Sequence, residues 1–296
     1  MHSDTSISSR AIGVCLCWIK RSVRGAARRM LESDSMWTAI QRTFPNIIYF
    51  RVQRTAAREA RFQRRCRQVF SARTVLAGPF KGLRYPQMAS IGSALYPKLI
   101  GSYEAELHAV VESVCRRPYE CILDIGFAEG YYLVGLARLF PSAQVIGVDV
   151  STRAHQFCRR LAALNGITGD RLTLYSRLGE EARRLLLGHR ALVVCDCEGA
   201  EVELFVSTEV ARWTTADLLI ECHDFLRPGA SSTLTKLFAP THAIRTVTTQ
   251  HWQTKISFLQ SPAFRKFDRE ERQRLLDEGR PAAQSWIIAE TRAAVG

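Results

Sequence analysis

Several absences narrow the reading of this chain before any motif does. No apolar run near its start is long enough for a bilayer: AIGVCLCWI, residues 11–19, has nine residues, against about 20 needed to cross one as a helix. Positive charge, KRSVRGAARRM, follows that stretch rather than preceding it, and no small-residue cleavage site is evident, which is the reverse of a secretory signal. Cytoplasmic residence is therefore expected, peripheral on membranes at most. A G-x-x-x-x-G-K-[ST] phosphate loop is missing, and so is the C-x-x-x-C-x-x-C spacing that would hold a radical-generating iron–sulfur cluster. Nine cysteines are present, but Cys15-x-Cys17 and Cys195-x-Cys197 lack the C-x-x-C spacing of a zinc site, and without a signal they read as reduced thiols. No internal repeat or low-complexity tract stands out.

Acidic residues are scarce in one region only. Residues 1–84 hold 17 Lys and Arg against 4 Asp and Glu, while the remainder holds 24 of each, so the whole net charge of +13 sits in the N-terminal arm. Arg21–Met30 and Arg54–Phe70 read as basic helices, with Ile47, Ile48, Tyr49 and Phe50 as an apolar patch between them. Two readings stand: a solvated helical extension, or an electrostatic dock for an anionic membrane surface or RNA. The expected organisation is a basic extension over 1–75, a lead-in or cap segment over 76–119, and a nucleotide-binding domain over 120–296. At 296 residues and 47% hydrophobic, the chain can bury a full-sized core.

The most informative stretch is ILDIGFAEG, residues 122–130, followed at strand–helix–strand distance by VIGVDVS, residues 145–151. A short apolar strand ends in Gly126, Ala128 and Gly130, small residues that let a backbone turn tightly beside a ligand. A helix to Phe140 follows, and then a second buried strand ending at Asp149, where an acid can accept both ribose hydroxyls of a nucleotide. Tyr131 occupies the position of the third glycine in a dinucleotide fingerprint, so the spacing is wrong for NAD. Asp124 and Glu129 bracket the turn. Two carboxylates repel a pyrophosphate and attract a ligand carrying an ammonium and a sulfonium, which describes S-adenosylmethionine (SAM).

From Glu120 onward strands and helices alternate: helices at Thr152–Leu164, Glu180–Leu187 and Glu201–Val206, and strands at Leu172–Tyr175, Ala191–Cys195 and Leu218–Cys222. Such alternation predicts an α/β, doubly wound, Rossmann-like and mostly parallel sheet, preceded by the basic helical extension.

The segment Asp124-Ile125-Gly126-Phe127-Ala128-Glu129-Gly130 resembles motif I of class I methyltransferases. CDCEGAEVELF, residues 195–205, and LLIECHDF, residues 218–225, are similar to the D-x-E-G-x-E block and the acidic strand end of FkbM-type methyltransferases; the resemblance covers Gly82–Asp224. GSYEAEL, residues 101–107, is similar to a lead-in helix of such proteins. Ala128 in place of the usual middle glycine and Cys197 in place of an aliphatic residue depart from the pattern. The resemblance implies SAM as cofactor, O-methylation of a small-molecule or sugar hydroxyl, and an antiparallel close to the sheet, built from Ala243–Thr249 and Trp286–Glu290 around a charged helix at Phe264–Glu278.

Asp124, Gly126, Ala128, Glu129, Gly130 and Asp149 are the expected cofactor contacts. Catalysis is expected from Asp196, Glu198 and His223, which leave the fourth and fifth strands at their carboxyl ends. Methyl transfer needs an acceptor aligned behind the methyl carbon and a base for its proton, and Asp196 or His223 suits that task. Glu221 joins Asp196 and His223 as a conceivable metal set, but no metal is assigned. After the fourth strand DCEGAE has neither proline nor aromatic, so the [DN]-P-P-[YF] tetrapeptide of amino-methylating nucleic-acid enzymes is absent. An RNA methyltransferase using the basic arm and a noncatalytic cofactor-binding protein remain open.

Overall fold

The computed structural model describes Arg42 and residues 45–292, apart from Thr168, 185–188 and 207–209. The expected Arg21–Met30 helix and the end of the helix expected to run to Leu187 lie outside those residues. The chain divides into two compact units, Met1–Arg64 and Arg65–Gly296. In the first, the described structure is the early part of helix α1 (Pro45–Val69). Arg54, Arg58 and Arg61 recur along it at alternating four- and three-residue spacing, so they share one helix face, and all three are exposed.

The second unit is built on one seven-stranded sheet. Its lead-in holds helices α2 (Leu95–Ile100) and α3 (His108–Val114). Then come strand β1 (Cys121–Ile125), helix α4 (Tyr131–Leu139), strand β2 (Gln144–Val148), helix α5 (Thr152–Leu164) and strand β3 (Leu172–Tyr175). Helix α6 (Glu180–Arg184), strand β4 (Ala191–Cys195), helix α7 (Glu201–Val206) and strand β5 (Ala216–Cys222) follow. Helix α8 (Ala230–Phe238), strand β6 (His242–Thr248), helix α9 (Arg269–Leu276) and strand β7 (Ser285–Thr291) close the fold.

The strand order is β3-β2-β1-β4-β5-β7-β6. The first five strands run parallel, and β7 inserts antiparallel to both β5 and β6. Strands β1, β4 and β5 are buried at every position, as expected of parallel strands with helices on both faces, which need continuous apolar sequence rather than alternation. On one face, Phe205 of α7 packs edge-on against Trp213 and against Phe238 of α8, with 5.3 Å between ring centroids in each pair. Such pairs add about 0.5–1.5 kcal/mol each beyond the area they bury.

Several element bounds differ from the sequence reading. The basic helix expected over Arg54–Phe70 runs over Pro45–Val69 and so takes in Ile47, Ile48, Tyr49 and Phe50, and the lead-in helix expected at GSYEAEL is a short 3₁₀ turn at Ala105–Leu107. The fifth strand begins at Ala216, not Leu218, because Asp217 sits inside the sheet with its carboxylate satisfied by Tyr119, Arg117 and Thr291. The helix expected over Phe264–Glu278 is confined to Arg269–Leu276. Asp268 caps it by accepting the Glu271 amide at 2.9 Å, while the Glu271 side chain accepts the Asp268 amide at 3.0 Å, a reciprocal pair that fixes the start.

Candidate active site

The direction of winding reverses between β1 and β4, and ligands in open α/β sheets lie at the strands' carboxyl ends at such a point. Ile125 pairs with Cys195 in the sheet register, so the next residues, Gly126 and Asp196, leave side by side. Gly126 donates to Val148 O at 2.7 Å, and Asp196 N donates to Ile125 O at 2.9 Å. A Cβ at Gly126 would lie 1.7 Å from Asp196 O, and its φ of +84° is in the left-handed region. Only glycine fits there.

The turn after β1 is closed by the acid at the end of β2. Asp149 Oδ2 accepts the Ala128 amide at 2.9 Å, and Oδ1 accepts the Ser151 amide at 2.8 Å. Ala128 is thereby held at a φ of +49°, a conformation that costs a side-chain-bearing residue about 1–2 kcal/mol. Asp124 lines the adjoining cleft and is buried; burial, and then the nearby Asp196 carboxylate, push its carboxyl well above the usual range.

Glu129 and Gly130 lie away from the cleft walls, and each has its own physical reason. The Glu129 carboxylate is fully buried, 2.5 Å from Lys98 Nζ, and also accepts from Ser90 Oγ at 2.7 Å and the Ile91 amide at 3.0 Å. It ties the lead-in to the turn, and Lys98 neutralises the charge that the sequence reading assigned to ligand attraction. At Gly130, a Cβ would sit 2.7 Å from Cys158 Sγ, so its missing side chain serves the packing of α4 on α5.

A cleft of about 240 Å³ opens beside the turn, and Asp124, Gly126, Ala128, Asp196, Glu198 and Glu221 are among its walls. Behind it, DCEGAE folds around one buried acid. Glu201 Oε1 accepts the amides of Cys197 at 3.0 Å and Gly199 at 3.2 Å, and lies 2.9 Å from His223 Nδ1. The loop bends through Glu198 and Gly199, at φ of +51° and +100°. Burial works against the Glu201 carboxylate, but His223 and then the backbone amides of Glu201 and Gly199 outweigh it and hold the group below the usual range.

His223 is 1% exposed. Its Nε2 faces three carboxylates: Glu198 Oε2 at 3.5 Å, Asp196 Oδ1 at 3.6 Å and Glu221 Oε2 at 3.9 Å. Burial disfavours the imidazolium, yet the hydrogen bond to Glu201 and the surrounding acids raise its pKa on balance. Asp196 is raised to about 6 by burial and then by Glu104. Burial, followed by Asp196 and Glu104, pushes Glu221 up to about 10. Glu198 is the exposed member, its side chain 71% accessible.

The three expected catalytic residues thus converge, and they are joined by Glu104, from the GSYEAEL segment, and by Arg280, from a part of the chain with no motif to announce it. Arg280 pairs with Glu221 and Glu104 and donates to Glu278 Oε2 at 2.9 Å, bridging the end of β5 to the lead-in. Glu104, at a φ of +47°, also accepts the Tyr132 hydroxyl. The strained Glu104 is part of the GSYEAEL resemblance; Arg280 carries no spacing signal at all.

No family model and no curated protein matches the chain. Among solved structures it is similar to the O-methyltransferase TomG from Streptomyces achromogenes in complex with SAM, at 12% identity and a TM-score of 0.40, covering 69% of this chain and 83% of that one. It is similar to the ribosomal protein L11 methylase from Lactobacillus delbrueckii subsp. bulgaricus, at 12% identity and 0.43, covering 71% and 86%. It is also similar to an O-methyltransferase from Bacillus cereus in complex with SAH, at 12% identity and 0.38, covering 60% and 78%. No described helix is long and apolar enough to cross a membrane.

Proposed function

We propose that the chain is a SAM-dependent methyltransferase that methylates a hydroxyl of a small molecule or sugar. The observation that carries this reading is the meeting, at the sheet's switch point, of the Gly126 turn with Asp196 and Glu198 on one cleft, backed by the buried His223. Each Asp149 oxygen spends one lone pair on a backbone amide and keeps another, so the carboxylate can still accept ribose hydroxyls from a bound nucleoside. Asp124, Gly126 and Ala128 line the cleft together with Asp196, where an acceptor oxygen would stand behind the methyl carbon, while Asp149 approaches through the turn it closes rather than from the cleft wall. Asp196 is the group best placed to orient that hydroxyl and take its proton. The FkbM-type resemblance belongs to this reading too: its D-x-E-G-x-E block is the loop that Glu201 closes onto His223.

Incubating the full chain with methyl-labelled SAM and a metabolite extract tests the reading. The expected product is a small molecule gaining one methyl group on oxygen. Label found only in RNA would favour instead an RNA methyltransferase, for which the exposed Arg54, Arg58 and Arg61 face of α1 is the supporting observation. SAM binding without turnover over a broad acceptor panel would favour a noncatalytic cofactor-binding protein.

A further inference from the structure

A buried carboxylate oxygen, Asp196 Oδ1, and the Nε2 of the buried His223 side chain face each other without a hydrogen bond between them. His223 Nε2 makes no hydrogen bond among the described residues, since its nearest carboxylate oxygens stand at 3.5, 3.6 and 3.9 Å. Asp196 Oδ1 is inaccessible to solvent and likewise has no hydrogen-bond partner among the described residues. Those separations are too long for good hydrogen bonds. They are close to the spacing of two ligands on one ion: donors about 2.0–2.2 Å from a divalent metal stand about 3–3.6 Å apart. One donor atom each from Asp196, Glu221 and His223 lies within 4.8 Å of the other two.

The imidazole is also presented as a ligand would be. A metal-binding histidine usually gives its other ring N–H to a carboxylate, which fixes the ring and turns the second nitrogen's lone pair outward. Here the fully buried Glu201 holds Nδ1 at 2.9 Å and is itself held by the Cys197 and Gly199 amides. Arg280 takes Glu221 Oε1 and leaves Oε2 on the His223 side. Charge argues the same way. Asp196, Glu198, Glu221 and Glu104 crowd this end of the sheet, with the one Arg280 guanidinium between Glu104 and Glu221.

We propose that Asp196, Glu221 and His223 bind one divalent transition-metal ion, of the Mn²⁺, Fe²⁺ or Zn²⁺ kind. A mixed imidazole and carboxylate set suits these ions better than Ca²⁺ or Mg²⁺. Three protein ligands leave open positions facing the cleft, since Asp196 and Glu221 are among its walls. A hydroxyl bound there would ionise more readily, its proton passing to Glu198, the exposed acid on the cleft wall; Asp196 would then orient the acceptor through the ion instead of taking the proton itself. The site shares the cleft of the methyltransferase reading, but its occupancy does not depend on SAM.

The test uses the full chain, stripped with a chelator and titrated with Mn²⁺. Electron paramagnetic resonance counts the ion, and its pulsed form detects nitrogen coupled to it. One Mn²⁺ per chain is expected, with imidazole nitrogen coupling, displaced by Zn²⁺. His223→Gln should abolish the nitrogen coupling, and Asp196→Asn, whose side chain is partly exposed and so tolerant of change, should weaken binding at least about 10-fold. The proposal is overturned if neither Mn²⁺ nor Zn²⁺ binds stoichiometrically, or if both variants bind as the unaltered chain does. Calorimetry with SAM in excess chelator separates the two readings. SAM bound without any metal site would end the metal proposal alone; a metal site without SAM binding would end the methyltransferase reading alone.

Discussion

Strand β5 carries a buried acid near each end, Asp217 and Glu221, at 1% and 2% exposure, and the two live in opposite surroundings. Asp217 is ringed by donors: the Arg117 guanidinium at 2.8 Å, the Tyr119 hydroxyl, the Thr291 amide at 2.7 Å and the Thr291 hydroxyl at 3.0 Å. Burial penalises its charge, but these donors win and hold its carboxyl below the usual range. Glu221 has Arg280 as its cation but shares its pocket with Asp196 and Glu104, and its carboxyl is pushed up to about 10, with burial the largest cause. Equal burial on one strand therefore gives opposite protonation behaviour, and the difference lies in whether donors or acids arrive from neighbouring elements. The donor-rich end fastens β7 and the segment before β1 to the sheet. The acid-rich end keeps carboxyls with shifted protonation facing a cleft, an arrangement suited to chemistry rather than to stability.

Substitutions at the two ends should separate these roles. The largest effect is expected at Asp196: Asp196→Asn keeps the shape and removes the charge, so turnover of a verified acceptor should fall about 10²- to 10⁴-fold, with SAM affinity nearly unchanged by calorimetry. Native turnover in this variant would remove Asp196 from the mechanism. Glu201→Ala strips His223, Cys197 and Gly199 of a shared buried partner. It should cost roughly 3–5 kcal/mol, as breaking a buried charged pair does, read as a drop in urea midpoint; a loss below about 1 kcal/mol would show that the loop does not depend on it.

At the other end, Asp217→Asn should cost about 1.5–3 kcal/mol, the range for hydrogen bonds to a charged group, and leave turnover intact. Its pH dependence has a definite sign. Because the folded pKa lies below the unfolded value of about 3.9, the contribution is complete above roughly pH 4 and is lost as pH falls through the folded pKa. Urea melts should therefore show the gap between the two proteins shrinking only in strong acid, and a gap that closes near neutral pH would contradict the assignment. Asp149→Ala should weaken SAM binding roughly 10- to 150-fold, the equivalent of about 1.5–3 kcal/mol. The smallest effect on stability is expected from replacing Arg54, Arg58 and Arg61 together by Gln, within about 0.5 kcal/mol for each exposed site. If the arm docks on an anionic surface, the same change should abolish salt-sensitive binding of the full chain to RNA or anionic vesicles.

The parallel core was legible because fully buried strands write themselves as unbroken apolar runs. ILDI, VIGV and ALVVC each fall on a strand, and TRAHQFCRRLAAL falls on α5 with the same bounds as expected. Asp217 hid the start of β5 because a polar residue inside a strand reads as an end until its distant donors are known. Asp196, Glu198 and His223 could be placed together because strand ends in such a sheet share one edge. The other half of the cluster could not. Arg280 reaches Glu221 across 59 residues and Glu104 across 176, and pairing over such separations leaves no local pattern. Glu129 is a similar case: its spacing marks it as a ligand contact, and the structure pairs its carboxylate with Lys98, 31 residues upstream, a partner no local pattern announces.

The claim underlying all of this is that the turn from Asp124 to Gly130, closed by Asp149, accepts a sulfonium nucleoside and not a dinucleotide. Calorimetric titration of the full chain with SAM and, separately, with NAD tests it most directly. One SAM bound per chain with no heat from NAD is the predicted result; NAD binding at that site, or no binding of SAM, would contradict it.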